Sequence, residues 1–168
     1  METITKVHPM FDELKAICKC QSKDKTRYVL NYVFVDNSGV VAADGRVLAK
    51  INNVFGLTPG FYDITKCNKQ TILLKPNADE KGKYPKYQNT LEFEKLDISI
   101  KTGHLTANLS IDLFKIAQYG VCINPAFLAI FEDLAELEYF VIAKDRPIHL
   151  IGNEGFHAVI MPIDPEYK

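Results

Sequence analysis

The feature that most constrains the fold of this chain is an order of segments that occurs twice. His8-Pro9 opens one amphipathic stretch and Asn124-Pro125 opens another, and each Pro is followed two residues later by Phe. After both stretches come apolar runs separated by turns that contain Asp or Asn. Pro suits the first position of a helix, so each stretch is expected to form one. The order of strand, helix and several strands therefore occurs twice, which predicts an α+β pseudo-repeat. Its two helices are expected to pack on one face of antiparallel sheets.

The first half of the chain begins with a short alternating run at residues 2–7, which predicts a strand. The stretch "MFDELKAICKC" predicts a helix of about three turns that Pro9 begins. After the polar loop "QSKDKTR", the run "YVLNYVFVD" predicts a long strand, and Asn37-Ser38-Gly39 predicts a hairpin turn. Residues 40–52 predict one strand that bends at Asp44-Gly45-Arg46, and further strands are expected at 61–65 and 71–75.

The second half follows the polar, turn-rich residues 76–90, which predict an exposed loop joining halves of about 1–75 and 91–168 within a single domain, 1–168. Alternation predicts strands at 96–100 and 105–109, whereas 110–120 fits either a helix or a strand. The runs "YFVIAKD", "IHLIG" and "FHAVIMPI" predict three closing strands, with turns at Asp145-Arg146-Pro147 and Asn153-Glu154-Gly155.

The stretch "AFLAIFEDLAELE" predicts the second helix, capped by Asn124 and begun by Pro125. Its expected buried arc consists of Phe127, Leu128, Phe131, Leu134 and Ala135. Its expected outer face consists of the acidic residues Glu132, Asp133 and Glu136.

Composition bounds the classes of function. With 20 Lys+Arg against 21 Asp+Glu, the whole chain carries no charge signal for nucleic acid or a membrane surface, so any basic surface must be local. The first ten residues have no apolar signal region and no stretch has the length of a membrane span, so we expect a cytoplasmic protein with no membrane contact. In a reducing compartment the four cysteines are expected to be thiols.

The chain shows little that points to catalysis or metal binding. It has no phosphate-binding Gly-rich loop, nucleophile elbow or paired His on a helix. Cys18 and Cys20 lie two apart in a predicted helix and fit no zinc pattern, and His149 and His157 fit partly buried strand residues. We therefore expect no catalytic residue, metal or cofactor, and an enzyme of unrecognised type remains only the third hypothesis.

Several segments, in order, resemble the bacterial DNA polymerase III beta sliding clamp family. They are "RYVLNYVFV", "VVAADGRVLAKIN", "KYPKY", "INPAFLAIFEDL" and the closing "FHAVIMPI". Val47 stands where the family has Arg and Ala43 where it has Thr, and residues 53–90 do not align apart from "KYPKY" at 83–87. A family subunit carries two or three such domains and closes a ring of six, whereas this chain has room for one.

The resemblance implies a non-catalytic, clamp-like protein that acts in DNA replication or repair by binding DNA, replication proteins or both, and its small size suits a phage or mobile element. The alternative is a clamp-fold adaptor that binds linear peptides without encircling DNA. By resemblance, the residues that border the family's groove for linear motifs of replication proteins are Gly45, Arg46, Leu48, Met161, Pro162 and Ile163. The competing interpretation places Met161 and Ile163 in the core.

Basic residues in the first half form a candidate DNA surface. Weak, non-specific phosphate contacts are expected from Lys15, Lys19, Lys23, Lys25 and Arg27. The competing interpretation is an ordinary solvated surface. Whether the chain forms a homo-oligomer is left open by the sequence.

Overall fold

The computed structural model describes residues 1–93, 100–134 and 136–164. Contacts divide the chain into two compact units. Unit 1 contains Met1–Lys86 and Glu154–Phe156, and unit 2 contains Tyr87–Asn153 and His157–Lys168. The predicted boundaries of a single domain with halves joined by residues 76–90 stay a prediction.

Unit 1 is an antiparallel sheet with one α-helix. The helix is α1 (Phe11–Lys19), and a 3-10 helix follows at Lys25–Asn31. The strands are β1 (Glu2–Thr5), β2 (Val33–Asp36), β3 (Gly39–Ala43), β4 (Val47–Ile51), β5 (Gly60–Cys67) and β6 (Thr71–Pro76). Their order in the sheet is β1-β6-β5-β2-β3-β4, with antiparallel pairing throughout.

Helix α1 covers part of this sheet with the apolar face that its sequence predicts. Phe11, Leu14 and Ile17 are buried, and the helix packs against β3, β4 and β5. The helix begins at Phe11 rather than at Pro9, because Met10 occupies the cap position and its N–H donates to Nδ1 of His8 (3.1 Å). Burial of this face is the main source of the helix's stability, since an isolated helix of this length is marginal in water.

The segment at residues 40–52 is a hairpin, which corrects the prediction of one bent strand. Ala43 of β3 lies opposite Leu48 of β4, so the chain reverses at residues 44–46. Oδ1 of Asp44 accepts hydrogen bonds from the backbone N–H of Arg46 (2.7 Å) and Val47 (2.9 Å). Gly45 has a φ of +94°, in the left-handed region that favours glycine. The Asp-Gly pair therefore closes a turn instead of bending a strand.

The long strand predicted from "YVLNYVFVD" is also shorter than expected. Residues 28–31 of this run belong to the 3-10 helix Lys25–Asn31, and only Val33–Asp36 forms a strand. Oδ1 of Asp24 caps the 3-10 helix by accepting from the N–H of Thr26 (2.9 Å), and the N–H of Ser22 donates to the carbonyl of Leu30 (2.9 Å). These local bonds compete with strand pairing.

Within its described residues, unit 2 has four strands and three short α-helices. The helices are α2 (Gln88–Leu91), α3 (Leu109–Ala117) and α4 (Pro125–Leu128), the last continued by a 3-10 helix at Ala129–Phe131. The strands are β7 (Lys101–His104), β8 (Glu138–Val141), β9 (Ile148–Ile151) and β10 (His157–Ile160). They pair antiparallel in the order β10-β9-β8-β7. The order of a strand, helices and several strands thus occurs in both units, as predicted.

The second helix differs from its prediction. After Leu128 the chain continues as a 3-10 helix, and the buried residues Leu128, Phe131, Leu134 and Leu137 recur every third position. The 3-10 helix ends at Phe131, so Leu134 and Leu137 are buried from the turn residues that follow it rather than from a continuous helix. Of the predicted acidic outer face, Asp133 and Glu136 are exposed, and the carboxyl oxygens of Glu132 are buried.

Other differences in unit 2 concern the segment before α4. The stretch left open at residues 110–120 is largely the helix α3, which Asn108 caps through a bond from the N–H of Ile111 (3.2 Å). The strand predicted at 105–109 is wrong, since α3 begins at Leu109. Residues 96–99 of the strand predicted at 96–100, and Ala135 of the predicted buried arc, lie outside the described residues.

In the described part of the chain, no helix combines the length and the apolar character that crossing a bilayer requires.

Candidate peptide and DNA surfaces

The residues that follow β10 form an exposed apolar segment. Met161 is 42% exposed and Ile163 is 44% exposed, so the competing interpretation that both belong to the core is wrong. The N–H of Ile163 donates to the carbonyl of Cys122 (2.7 Å), which holds the segment in place although no strand pairing continues there. Pro162, which lies between them, is half-buried.

Two cavities of unit 2 have Met161 in their walls. One has a volume of about 470 Å³ and is lined by Gly120, Cys122, Lys144, Asp145, Met161, Pro162, Ile163 and Asp164. The other has a volume of about 600 Å³, and its lining includes Phe93, Arg146, Pro147 and His149 besides Met161. The sequence reasoning missed Lys144 and Asp145, whose signal was the polar turn "KDRP" before β9.

The part of the predicted peptide surface in unit 1 is only partly accessible. Gly45 and Arg46 are exposed in the turn between β3 and β4. Leu48 is 8% exposed, because it pairs with Ala43 across the hairpin and belongs to the core, so its prediction as an apolar contact surface is wrong.

A cavity of about 260 Å³ in unit 1 joins residues from both predicted sites. Its lining consists of Ser22, Lys23, Asp24, Arg27, Asp44 and Arg46. Nη1 of Arg27 donates to the carbonyl of Asp44 (2.9 Å), which ties the 3-10 helix to the turn of the β3–β4 hairpin. Three cationic and two anionic side chains meet here, so the cavity offers charge of both signs.

The predicted DNA strip is exposed along most of its length. Lys19, Lys23, Lys25 and Arg27 are exposed, and Lys15 is half-buried on α1. One acidic group interrupts the strip: Asp24 accepts from the backbone N–H and the hydroxyl of Thr26 (2.9 and 2.7 Å), and these bonds lower the pKa of its carboxyl group. A charged carboxylate therefore stands between Lys23 and Lys25.

Two histidines lie together on the β9–β10 hairpin. Nδ1 of His149 is 2.8 Å from Nε2 of His157, and the ring centroids of Phe93 and His149 are 4.3 Å apart. Burial lowers the pKa of His149 to about 4, so the ring is neutral at physiological pH. Sequence reasoning missed this pair. Its signal is that His149 and His157 lie on either side of the predicted turn at residues 153–155.

Two carboxyl groups also meet in unit 2. Asp112 is fully buried and accepts from the N–H (2.9 Å) and the hydroxyl (2.8 Å) of Thr106. Both oxygens of Glu132 are buried with no hydrogen-bond donor from the rest of the described chain. Burial, followed by the charge of Asp112, raises the pKa of Glu132 to about 7. A protonated Glu132 has an O–H that can donate to Asp112, which gives one of its two buried oxygens a partner.

These groups do not assemble into a recognisable metal centre. No cluster of three or more His, Cys, Asp or Glu side chains suited to a metal ion occurs within residues 1–93, 100–134 and 136–164.

Comparison with solved structures identifies the fold. The DNA polymerase III beta chain of Streptococcus pneumoniae TIGR4 matches with a TM-score of 0.62 and 14% identity, over 96% of this chain and 64% of that one. The beta subunit of Thermotoga maritima matches with a TM-score of 0.61 and 12% identity, over 98% and 66%. The beta sliding clamp of C. crescentus, solved with PEG at a putative beta-motif tethering region, matches with a TM-score of 0.59 and 13% identity, over 97% and 65%.

This chain therefore has the α+β fold of the bacterial beta sliding clamps, and it spans 64–66% of the length of these three subunits. No protein-family model matches the sequence, and no curated protein matches it.

Proposed function

We propose that this chain is a non-catalytic, sliding-clamp-like protein of DNA replication or repair that binds short linear peptides of replication proteins at residues 161–163. The observation that carries this proposal is the exposure of Met161 and Ile163 beside a cavity, in a chain with the clamp fold. The C. crescentus clamp, which has the same fold, was solved with PEG at a putative beta-motif tethering region.

The physical case rests on the character of the segment. Met161 is unbranched and polarisable, so it adapts to differently shaped apolar partners. Pro162 has a restricted backbone and Ile163 is held by its bond to Cys122, so little conformational entropy is lost when a peptide binds. Lys144, Asp145 and Asp164 surround the apolar residues with charge, which is the usual arrangement of a recognition surface.

Peptide binding is tested with Ile163→Ala and Met161→Ala. The ligand is a fluorescein-labelled peptide carrying the short hydrophobic segment by which a bacterial replicative polymerase binds its clamp, followed by fluorescence anisotropy. Each substitution removes apolar area worth roughly 1.5–3 kcal/mol when buried, so we expect a loss of affinity of about tenfold or more. Melting should stay nearly unchanged, because exposed substitutions cost about 0.5 kcal/mol or less.

The matched control is Ile111→Ala on α3, whose side chain is 47% exposed in the same unit. It removes the same side chain from a similarly exposed position and should leave affinity unchanged. Absence of peptide binding by the wild-type chain would refute the proposal, as would equal losses for Ile111→Ala and Ile163→Ala.

Contact with DNA is the second part of the proposed function. It is supported by the exposure of Lys19, Lys23 and Lys25 and opposed by Asp24 between them. Gly45 and Arg46 remain predicted peptide contacts. If the chain binds the peptide and no DNA, the adaptor function is the correct one, and the salt dependence of DNA binding discriminates the two.

A further inference from the structure

The cavity of about 260 Å³ in unit 1 lies between two segments of the chain. One segment is residues 22–27, which lead into the 3-10 helix, and the other is the turn of the β3–β4 hairpin. Nη1 of Arg27 donates to the carbonyl of Asp44 (2.9 Å) and connects the two segments. The walls of the cavity are therefore held together by a direct bond.

Several hydrogen-bond donors that line this cavity are left without an acceptor. Ser22 is 5% exposed, and its hydroxyl oxygen accepts from the N–H of Asp24 (3.0 Å). Within the described residues its O–H has no acceptor, and the charged groups of Lys23 and Arg46 have no partner. Because a buried donor without an acceptor costs free energy, a ligand that accepts from Ser22 would recover this cost.

The two carboxylates of the cavity are already engaged by the backbone of the chain. Oδ1 of Asp24 accepts from the N–H of Thr26 (2.9 Å), and Oδ1 of Asp44 accepts from the N–H of Arg46 (2.7 Å) and Val47 (2.9 Å). These two negative charges offset only part of the three positive charges of the lining. The cavity therefore keeps a net positive charge and favours an anionic ligand.

We propose that this cavity binds a single phosphate group, either as inorganic phosphate or as a phosphomonoester. Such a group carries a charge of about −1.5 to −2 at pH 7, and its oxygens accept from several donors at once. The two guanidinium groups, the ammonium group and the hydroxyl group of the lining suit these oxygens. A volume of about 260 Å³ is below the roughly 300–1,000 Å³ of sites for drug-sized ligands, so it suits a small anion with bridging waters.

The same carboxylates make a DNA strand a poor ligand for the cavity. A DNA duplex carries one negative charge per about 1.7 Å of its axis, so the phosphates next to a bound one would approach Asp24 and Asp44. An isolated phosphate group avoids this repulsion. The proposed site is also independent of the peptide surface at residues 161–163, which belongs to unit 2.

The first test follows the arginine side chains by NMR. Arg27, Arg46 and Arg146 are all the arginines of the chain, so each guanidinium Nε–H resonance can be assigned. Inorganic phosphate is added to the full ¹⁵N-labelled chain at constant ionic strength. We expect saturable shifts at Arg27 and Arg46, with a dissociation constant of about 1 mM or below, and none at Arg146, which is exposed in unit 2.

Absence of a saturable shift at Arg46, or an equal shift at Arg146, would overturn the proposal. Because this measurement uses the unaltered chain, it does not depend on the folding of any variant.

The second test measures the affinity for inorganic phosphate by calorimetry with Arg46→Gln and Lys23→Gln. Both side chains are exposed, so the fold should be retained. We expect Arg46→Gln to weaken binding by about tenfold or more, because a charge-assisted hydrogen bond is lost, and Lys23→Gln to weaken it less. The matched controls are Arg146→Gln and Lys66→Gln on β5, which should bind like the wild type. Equal losses in variants and controls would contradict the site.

Two further ligands identify the source of the phosphate group. A blocked tripeptide of glycine, phosphoserine and glycine should bind more tightly than inorganic phosphate if the natural ligand is a phosphomonoester, and more weakly if it is free phosphate. Binding of either ligand at Arg46 supports the site. A DNA duplex without terminal phosphates should leave the phosphate-induced shift of Arg46 unchanged, and displacement by this duplex would overturn the proposal in favour of a DNA contact.

Discussion

Glu132 carries a carboxyl group whose oxygens are buried beside the carboxylate of Asp112. Its pKa is raised to about 7 in the folded chain, above the value near 4.5 that it has when exposed. Between these values the folded state holds a proton that the unfolded state has lost. Its contribution to stability is therefore full below pH 4.5 and is lost as the pH rises through about 7.

Replacing Glu132 with Gln should remove this pH dependence, because the amide can donate to Asp112 at every pH. We expect Glu132→Gln to be more stable than the wild type at pH 8 and to differ little from it at pH 4.5. Urea denaturation at both pH values measures the difference. Asp133→Asn, an exposed neighbour, controls for general removal of negative charge.

A difference between wild type and Glu132→Gln that did not grow with pH would contradict the shared proton. The comparison must be made between variants, because His149 has the opposite pH dependence. Its pKa is lowered to about 4 by burial, so its contribution is present above pH 6.5 and is lost as the pH falls through about 4.

At the scale of the element, the turn of the β3–β4 hairpin is stabilised by contacts from outside the hairpin. Arg27 of the 3-10 helix donates to the carbonyl of Asp44, and its guanidinium lies where a side chain at Gly45 would stand. The turn thus depends on a residue 17 positions earlier in the chain.

Gly45→Ala should destabilise unit 1 through the positive φ and through displacement of the Arg27 guanidinium, which would lose its bond to the carbonyl of Asp44. A non-glycine residue at positive φ costs about 1–3 kcal/mol. The matched control is Gly56→Ala, which has a φ of +69° and no atom within 4 Å of the added methyl group. We expect Gly45→Ala to lower the free energy of unfolding more than Gly56→Ala, as measured by urea denaturation. Equal losses would show that the Arg27 contact adds nothing.

The predicted DNA strip extends from α1 into the loop that follows it. If Lys15, Lys19, Lys23 and Lys25 contact phosphates, DNA affinity should be weak, independent of sequence and steeply salt-dependent, with about one unit of log–log slope per contact. Lys19→Glu with Lys23→Glu should lower both the affinity and the slope, measured by anisotropy of labelled duplex DNA from low to physiological salt. Arg27 is left unchanged because it supports the turn.

Lys101→Glu, an exposed lysine of β7 in unit 2, is the control for the DNA measurement and should have a smaller effect. Absence of binding to single- or double-stranded DNA at low salt would refute the DNA contact and favour the adaptor function.

At the scale of the whole molecule, the chain has a formal net charge of −1, so its net charge gives no overall electrostatic attraction to DNA. A ring of six domains with one domain per chain would need about six copies by the family's design. We expect no sixfold ring, since the segment predicted as the second helix would line its hole and exposes the acidic residues Asp133 and Glu136, which repel DNA. Light scattering, calibrated with a bacterial beta clamp, measures the mass. A hexamer with a central hole in projection images would contradict this expectation.

The sequence by itself determined which segments form strands and helices where the signal is local. The apolar spacing of α1, the turns at residues 37–39 and 153–155, and the three closing strands follow from periodicity and turn chemistry, which act between residues near in sequence. The motif resemblance likewise indicated the clamp fold that the solved structures confirm. Residues 161–163 were predicted as a surface from the same motifs, and their binding role stays a prediction.

Only the tertiary structure decided how these segments pair and which side chains they bury. Asp44-Gly45 permits either a bend or a reversal, and the pairing of Ala43 with Leu48 selects the reversal and buries Leu48. The bond from Arg27 to the carbonyl of Asp44 joins the 3-10 helix to the hairpin turn, and the charge of Asp112 acts on Glu132 from another segment. Local pattern carries no information about such contacts, because the free energy of long-range packing is decided by the whole set of elements that fold together.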